Sequence, residues 1–178
     1  MSSHNHQKIK NIFEQALKYK KSGNLYESIE LYKKIIALEP NFYEAYFNIS
    51  NIYEELREYD SAIKYLSIAK DLNRNDYEIN VNLGNLFIHK QMFKEAMQQF
   101  QIAFTKNQMD PRISNSVGML QRKFNDNLNA KKAFEYTLSI DKNNDFAIRQ
   151  LSILERILGN YKIGLELLYK LTGKISLK

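Results

Sequence analysis

One pattern repeats every 34 residues along almost the whole chain, and it limits the folds that the chain can adopt. Blocks that begin at Ile9, Tyr43, Tyr77, Pro111 and Asp145 align without a gap. Each block holds two amphipathic stretches whose apolar residues recur three or four positions apart, the spacing of one face of an α-helix. A single hairpin of two such helices is too thin to bury its apolar face. The period therefore predicts a stack of hairpins in which each hairpin covers its neighbour.

Small and large side chains occupy fixed columns of this alignment. Two columns hold only glycine, alanine and serine, and a third column, four positions after the second, holds large residues. Small residues allow two helices to approach closely, and large residues fill the space opposite them. The small columns are Ala16, Ser50, Gly84, Gly118, Ser152 and Ser28, Ala62, Ala96, Ala130, Gly164; the large column is Tyr32, Leu66, Phe100, Phe134, Leu168.

Glycine, asparagine, aspartate and proline fall between the amphipathic stretches, where helices stop and restart. The 178 residues include only two prolines and six glycines, which favours helices over a turn-rich β fold. Residues 1–8 are predicted to be a disordered lead-in, the array to cover 9–174, and residues 175–178 to be a tail. The prediction is an all-α fold with helices near 9–22, 25–38, 43–56, 59–72, 77–90, 93–106, 111–124, 128–140, 145–158 and 161–173.

The pattern resembles that of the tetratricopeptide repeat (TPR) family. The repeat length, the small and large columns and the segment SIELYKKIIALEP at 28–40 all match the family pattern. The resemblance implies a right-handed α-solenoid of five TPR-like helix hairpins, in which the first helix of each hairpin lines a concave groove. The five repeats lie at about 9–42, 43–76, 77–110, 111–144 and 145–174.

The chain departs from the family pattern in places. No block has the tryptophan often found early in the repeat, and the usual closing proline is present only as Pro40. Gln121 and Glu155 stand where an aromatic residue is usual. These two residues predict a distorted or capping role for the fourth and fifth repeats.

Asparagine recurs on the predicted groove side of the second and third repeats. An asparagine side chain offers one acceptor and two donors, so it can pair with both the C=O and the N–H of an extended peptide. These residues are similar to the groove asparagines of the TPR region of the protein O-linked N-acetylglucosamine transferase, which implies backbone holding. Solvated surface or local hydrogen bonding is the alternative, because 19 of the 178 residues are asparagine. The predicted peptide-binding residues are Phe47, Asn48, Asn51, Glu55, Asn82, Asn85, His89, Arg112, Asn115, Arg122 and Arg149.

Charge is uneven along the chain. Residues 1–89 hold 11 Lys and Arg against 12 Asp and Glu, whereas residues 90–178 hold 15 against 8. An extended peptide with basic residues toward the second and third repeats and acidic residues toward the fourth and fifth fits this distribution. The two-carboxylate clamp of some TPR co-chaperones is disfavoured, because Phe47 and Ser116 stand where it needs cations. Nucleic acid is disfavoured as a partner, because no arginine run or basic helix concentrates the charge.

Residues for catalysis or metal binding are scarce. The chain has no cysteine, and its three histidines are His4 and His6 in the predicted lead-in and His89. These residues assemble neither a metal-ligand set nor a nucleophile–base pair, so no catalytic residue, metal site or cofactor is predicted. The sequence contains no signal-peptide core and no membrane-spanning run, and a cytoplasmic location without membrane insertion is expected.

Together these features predict a non-catalytic adaptor or scaffold that binds an extended peptide or a partner protein. Three alternatives stay open, the third being that the basic C-terminal half of the chain binds RNA. In the first, the array is the substrate-adaptor region of a larger enzyme such as a glycosyltransferase. In the second, it is a scaffold that self-associates through its last helix, where Leu165, Leu167, Leu168 and Leu171 need cover.

Overall fold

The computed structural model describes residues 3–172, and these residues form ten α-helices joined by short turns. The all-α prediction is confirmed, and every helix after the first begins within one residue of its predicted position. The helices are α1 (Ser3–Lys21), α2 (Leu25–Leu38), α3 (Tyr43–Glu55), α4 (Tyr59–Leu72), α5 (Tyr77–His89), α6 (Phe93–Lys106), α7 (Pro111–Lys123), α8 (Asn127–Ile140), α9 (Asp145–Ile157) and α10 (Tyr161–Thr172).

The start of α1 differs from the prediction. The helix begins at Ser3, so residues 3–8 are helical and not part of a disordered lead-in. Ile9 is buried in the core of the first repeats, and Gln7 Nε2 donates a hydrogen bond to Asn11 Oδ1 at 2.9 Å. Because 3–8 contain neither glycine nor proline, the helix extends from this anchored turn toward the N-terminus. The predicted tail at 175–178 lies outside the described residues.

The small columns lie where the two helices of a hairpin cross, as predicted, and every residue of both columns is buried. Ser28 Oγ, on α2, donates to the carbonyl oxygen of Ala16, on α1, at 2.8 Å. Ser152 Oγ, on α9, donates in the same way to the carbonyl oxygen of Gly164, on α10, at 2.7 Å. A side-chain hydroxyl reaches the backbone of the facing helix directly, so the helices of these hairpins approach too closely for larger residues.

A left-handed residue ends the first helix of every hairpin. In all five turns, the residue that follows it donates its backbone N–H to a carbonyl oxygen five positions earlier, at 2.7 to 3.0 Å. This is the Schellman arrangement, which satisfies carbonyl groups at the helix end and reverses the chain. The left-handed residues are Gly23, Arg57, Gln91, Asn125 and Gly159, with φ between 59° and 87° and a spacing of 34 residues.

The chain divides into two compact units, and the division falls within α6. Unit 1 extends to Ala96, and unit 2 begins at Met97. Each unit buries aliphatic and aromatic side chains of the predicted columns. The core of unit 1 includes Ile29, Tyr32, Ile35, Ile49, Ile52, Leu66, Ile79 and Leu86, and the core of unit 2 includes Ala130, Phe134, Ala147, Leu151 and Leu154.

Candidate functional site

The first helices of the second and third repeats, α3 and α5, carry the predicted peptide-binding residues of unit 1. On each helix, the polar members of this set are spaced three and four residues apart, so they lie on one side of the helix. We call the four asparagines of this set, Asn48, Asn51, Asn82 and Asn85, the amide face. The set is Asn48, Asn51 and Glu55 on α3, and Asn82, Asn85 and His89 on α5.

His89 brings these sides of α3 and α5 together. Its Nε2 lies 3.9 Å from Glu54 Oε1, and its ring stacks on Tyr59 with the ring centroids 4.9 Å apart. Glu54 lies about one turn beyond Asn51 on α3, and His89 lies about one turn beyond Asn85 on α5. The amide face therefore extends over two adjacent helices of unit 1.

The four asparagines differ in how their amides are used. Asn48 Nδ2 donates to the carbonyl oxygen of Glu44 at 2.8 Å, within its own helix. Asn51, Asn82 and Asn85 are half-buried, and their side chains make no hydrogen bond to any residue that the structure describes. Half-buried amides of this kind gain from a hydrogen-bonding ligand, because burial separates them from part of their water. These three asparagines have all their donors and acceptors available, whereas Asn48 does not.

Phe47 and Glu55 do not join the amide face. Phe47 packs against the buried cluster that includes Leu66 and Leu83, which is the usual role of an aromatic residue between repeats. Glu55 is exposed, and the carboxylate that faces His89 belongs to Glu54. The carboxylate beside His89 is therefore one residue away from the predicted Glu55, and the binding role of this side of α3 stays a prediction.

Two of the three cations predicted for unit 2 are engaged within the protein. Arg112 Nε lies 3.0 Å from Asp110 Oδ1, and its Nη2 lies 2.5 Å from Oδ2. Asp110 also caps α7, because its Oδ1 accepts from the backbone N–H of Arg112 at 2.9 Å. Arg122 Nη1 donates to Gln150 Oε1, whereas Arg149 is exposed. Of the three arginines, Arg149 is the best placed to meet an acidic ligand.

Asn115 joins α7 to the beginning of α9. Its Nδ2 donates to Asn144 Oδ1 at 3.2 Å, and the same oxygen caps α9 by accepting from the backbone N–H of Ala147 at 3.0 Å. The Oδ1 of Asn115 is buried without a hydrogen-bond partner. This asparagine therefore makes a contact between repeats, which differs from the surface role predicted for it.

Sequence reasoning missed a cleft in unit 2, which lies among α7, α8 and the unit 2 part of α6. The cleft has a volume of about 420 Å³, and Phe104, Val117, Ala133 and Tyr136 form most of its apolar wall. Gln121 also lines it, and Gln121 Oε1 is buried without a hydrogen-bond partner. The signal in the sequence was a glutamine in an aromatic column, which indicated distortion but not a cavity.

Glu155, the other departure from the aromatic column, is 2% exposed and forms an ion pair with the partly exposed Lys131. Lys131 Nζ lies 2.8 Å from Glu155 Oε1, and Asn160 Nδ2 donates to Oε2 at 2.8 Å. Burial raises the pKa of Glu155, but the hydrogen bonds from Lys131 and Asn160 and the charge of Lys131 outweigh burial and hold the pKa below its usual value. The hydrogen bond to Glu155 raises the pKa of Lys131. This pair links α8 to α9.

Other features of the described residues bear on chemistry and location. Within residues 3–172, no three His, Asp or Glu side chains are grouped so that they could hold a metal ion. No helix among them is both long enough and apolar enough to cross a membrane. That the chain has no catalytic residue stays a prediction.

Comparisons with known proteins agree with this architecture. The sequence profile of the family described as "Tetratricopeptide repeat" matches residues 31–64. No curated protein sequence matches the chain significantly. The profile match covers the second half of α2, all of α3 and the start of α4, so it supports a TPR repeat in unit 1.

Solved structures extend the likeness to nearly the whole chain. The crystal structure of MamA has a TM-score of 0.81 at 20% identity, over 87% of this chain and 91% of that chain. The crystal structure of YrrB, a TPR protein with an unusual peptide-binding site, has a TM-score of 0.76 at 18% identity, over 92% and 86%. PilF of Pseudomonas aeruginosa has a TM-score of 0.82 at 16% identity, over 99% and 80%. At these identities the likeness concerns the fold, which is an all-α solenoid of TPR hairpins.

Proposed function

We propose that this chain is a non-catalytic interaction module that binds an extended peptide segment of a partner protein at the amide face of unit 1. The observation behind the proposal is that Asn51, Asn82 and Asn85 are half-buried and make no hydrogen bond within the described chain. They lie on adjacent helices that His89 and Glu54 bring together at 3.9 Å. An adaptor or scaffold role in the cytoplasm is the setting that we propose for this binding.

An extended peptide suits this surface better than a small charged ligand. The side chains of the amide face are neutral, and they both donate and accept hydrogen bonds. A peptide backbone, with its alternating N–H and C=O groups, needs both kinds of partner. His89, which lies beside the amide face, already faces the carboxylate of Glu54. Recognition of the backbone would therefore supply affinity, and side chains beside the amide face would supply selectivity.

YrrB gives independent support, because it has a similar fold and is described as a TPR protein with an unusual peptide-binding site. At 18% identity the positions of binding residues do not transfer. For this chain we therefore place the peptide by the geometry of α3 and α5 alone. The resemblance of the asparagines to those of the glycosyltransferase TPR region belongs to the same proposal.

The test is a paired-asparagine variant measured against a peptide selected on the intact chain from a random-sequence library. In Asn51→Ala with Asn82→Ala, peptide binding should weaken by about 1 to 3 kcal/mol in titration calorimetry, the scale of hydrogen bonds lost from a buried interface. The matched control is Asn41→Ala with Asn75→Ala, which alters two exposed turn asparagines of the same unit. Equal affinity of the two double variants would refute the proposal, provided that circular dichroism shows both to be folded.

A second candidate function is self-association through α10, the helix that the sequence analysis singled out. Ile163 and Leu165 are 46% and 40% exposed, whereas Leu167 packs against the core of unit 2. Exposed apolar residues on one helix are typical of an interface with a second copy or a partner. Sedimentation at increasing concentration should show association in the wild type and not in Ile163→Glu with Leu165→Glu. A monomer at all concentrations would dismiss this candidate.

A further inference from the structure

The cleft of unit 2 lies at repeat positions that two stacked tyrosines occupy in the second repeat. In unit 1, Tyr53 and Tyr65 stack with their ring centroids 5.5 Å apart and an angle of 22° between the rings. Two repeats later, 68 residues on, the same positions are Gln121 and Ala133. Both residues line the cleft of about 420 Å³. The cleft therefore lies at the positions where the second repeat carries two stacked tyrosine rings.

Gln121, one of the residues that line the cleft, has a buried side-chain oxygen that the protein leaves unsatisfied. Among polar residues that line it, Ser114 Oγ meets Thr137 Oγ1 at 2.7 Å, and Thr105 Oγ1 donates to the carbonyl oxygen of Ile102 at 2.7 Å. Gln121 Oε1 is buried and has no such partner. A buried amide without a partner is costly, and a ligand that brings a hydrogen-bonding group removes this cost.

We propose that this cleft is a binding site for a tyrosine side chain presented by a partner peptide, separate from the amide face. A phenol has the ring shape of the side chains that fill the equivalent positions of unit 1, and the apolar walls formed by Phe104, Val117 and Tyr136 suit its ring. Its hydroxyl both donates and accepts, so it can pair with the side-chain amide of Gln121. Phenylalanine would fill the space but leave Gln121 Oε1 unsatisfied.

The rim of the cleft is ordered in a way that suits an inserted ring. The ring of Tyr136 contacts that of Phe104 edge to face, with centroids 5.5 Å apart, and its hydroxyl donates to the carbonyl oxygen of Gln108 at 3.4 Å. Two aromatic walls are thus held in place before a ligand arrives. A preformed apolar slot with one convergent polar group is the usual form of a specific site for a small apolar group.

The experiment is an NMR titration of the full chain with p-cresol and with toluene, the side-chain analogues of tyrosine and phenylalanine. We expect p-cresol to shift the amide signals of Val117, Gln121 and Ala133 and to bind about fivefold or more tightly than toluene, the ratio expected for one hydrogen bond. Equal affinities, or shifts confined to other regions, would overturn the proposal. The peptide source is tested with Gly-Gly-Tyr-Gly-Gly against Gly-Gly-Phe-Gly-Gly, where the tyrosine peptide should bind more tightly. Binding of p-cresol without binding of the tyrosine peptide would reject a peptide ligand.

Two variants separate the polar and the steric parts of this site. Gln121→Leu removes the amide and should bring p-cresol and toluene to equal affinity, whereas the rim control Gln101→Leu should keep the preference. Ala133→Tyr restores the tyrosine found at the equivalent position of unit 1 and should abolish binding of both probes. If p-cresol still binds to a folded Ala133→Tyr variant at the same signals, the assignment of the cleft is wrong. Failure of the amide-face variants would not alter these results, because those variants lie in unit 1.

Discussion

At the scale of single residues, the backbone conformation of the turns repeats more strictly than the residue types that adopt it. The five left-handed turn positions have nearly the same φ, but glycine occupies only two of them. Arg57, Gln91 and Asn125 adopt φ near 60° because the Schellman turn requires that conformation. The Cβ of a non-glycine residue is crowded there, and this cost persists because the surrounding hairpin fixes the turn.

Arg57→Gly and Gln91→Gly should therefore stabilise the protein. Each change removes a steric cost of about 1 to 2 kcal/mol from the folded state. Glycine also increases the entropy of the unfolded chain, which offsets part of this effect. The net gain in the free energy of unfolding should be about 0.5 to 1 kcal/mol. Chemical denaturation monitored at 222 nm measures the change. Ser67→Gly, on the exposed side of α4, is the control and should destabilise by about 0.5 kcal/mol. A loss of stability in Arg57→Gly would contradict the role given to the turn.

The hydroxyl group of Tyr32 is an unsatisfied polar group in the core of unit 1. Its side chain is fully buried, its ring meets Phe13 edge to face at 5.5 Å, and its hydroxyl has no hydrogen-bond partner. Tyr32→Phe keeps the ring contact and removes the buried hydroxyl, so we expect a gain of about 1 kcal/mol in the free energy of unfolding. The same column already holds phenylalanine at Phe100 and Phe134. A destabilised Tyr32→Phe would show that the hydroxyl is satisfied in solution.

The pH dependence of Tyr32→Phe gives a second check. Burial raises the pKa of Tyr32 from 10.0 to about 12. Between these values the unfolded phenol has lost its proton while the folded one keeps it, so the stability of the wild type falls as pH rises from 10 to about 12. Tyr32→Phe lacks this loss, and its advantage over the wild type should grow across that window.

At the scale of elements, small residues at helix crossings decide how closely a hairpin packs. A Cβ built on Gly118 of α7 would lie 2.7 Å from Cζ of Phe134 on α8. Phe134 is fully buried, so its ring cannot move aside easily. The pairing of a small and a large column is thus a direct contact between two helices of unit 2.

Gly118→Ala should destabilise the protein although alanine favours helices more than glycine does. We expect a net loss of about 1 to 3 kcal/mol, because the clash with Phe134 exceeds the propensity gain of about 1 kcal/mol. Adding Phe134→Leu, the residue type that Leu66 supplies in the same column, should recover part of the loss. Melting temperatures of the single and double variants test this coupling. Additive effects of the two substitutions would argue against a direct contact.

The ion pair between Lys131 of α8 and Glu155 of α9 gives a prediction for the contact between repeats. Glu155→Gln keeps the shape of the side chain but removes the nearer of the two carboxylates beside Lys131, the other being Glu135 at 3.8 Å. We expect a loss of about 2 kcal/mol at neutral pH, the scale of a hydrogen bond to a charged group. The pKa of Glu155 is held below its usual 4.5, so the pair stabilises the fold above that pH and its contribution is lost as pH falls through the lower folded-state value. The difference between wild type and variant should therefore vanish in acid. A constant difference down to pH 2 would contradict this account.

At the scale of the whole molecule, charge separates the two units. Residues 1–96 hold 13 Lys and Arg against 13 Asp and Glu, whereas residues 97–178 hold 13 against 7. The formal charge of +6 therefore resides in unit 2. Because Arg112 and Arg122 have partners within the protein, exposed cations such as Arg149 and Lys132 are the ones more available to an acidic ligand.

We expect a decapeptide of glutamate to bind the full chain and a decapeptide of lysine to bind far more weakly. The dissociation constant of the glutamate peptide should rise by about tenfold between 50 and 200 mM NaCl, since exposed charges are screened over this range. Arg149→Glu should weaken binding, and the charge reversal Lys70→Glu in unit 1 serves as the control. Fluorescence anisotropy measures both. If the dissociation constant did not depend on salt concentration, the net charge of unit 2 would not contribute to binding of the acidic peptide.

The sequence alone determined the repeating architecture of this protein. Helix positions follow from the spacing of apolar residues and turn residues, and the buried columns follow from the alternation of small and large side chains, because both are local consequences of a 34-residue period. The spacing of the four asparagines likewise predicts that those of α3 share one side of that helix and those of α5 one side of theirs. These properties depend on which residue type occupies each position of the repeat, and the amino-acid sequence contains that information.

The tertiary structure decided which polar groups are used and where space is left. Asn48, Asn115, Arg112 and Arg122 were predicted for ligand contact, yet each bonds within the protein. Asn48 and Arg112 bond to groups in or next to their own helices, which depends on side-chain conformation. Asn115 and Arg122 bond to the N-cap and a side chain of α9, at distances between helices that the period does not specify. The same holds for the cleft at Gln121, which exists because one substitution in α7 coincides with another in α8. The aligned repeats show each departure from the repeat pattern separately. Packing in three dimensions determines whether two such departures together leave a cavity.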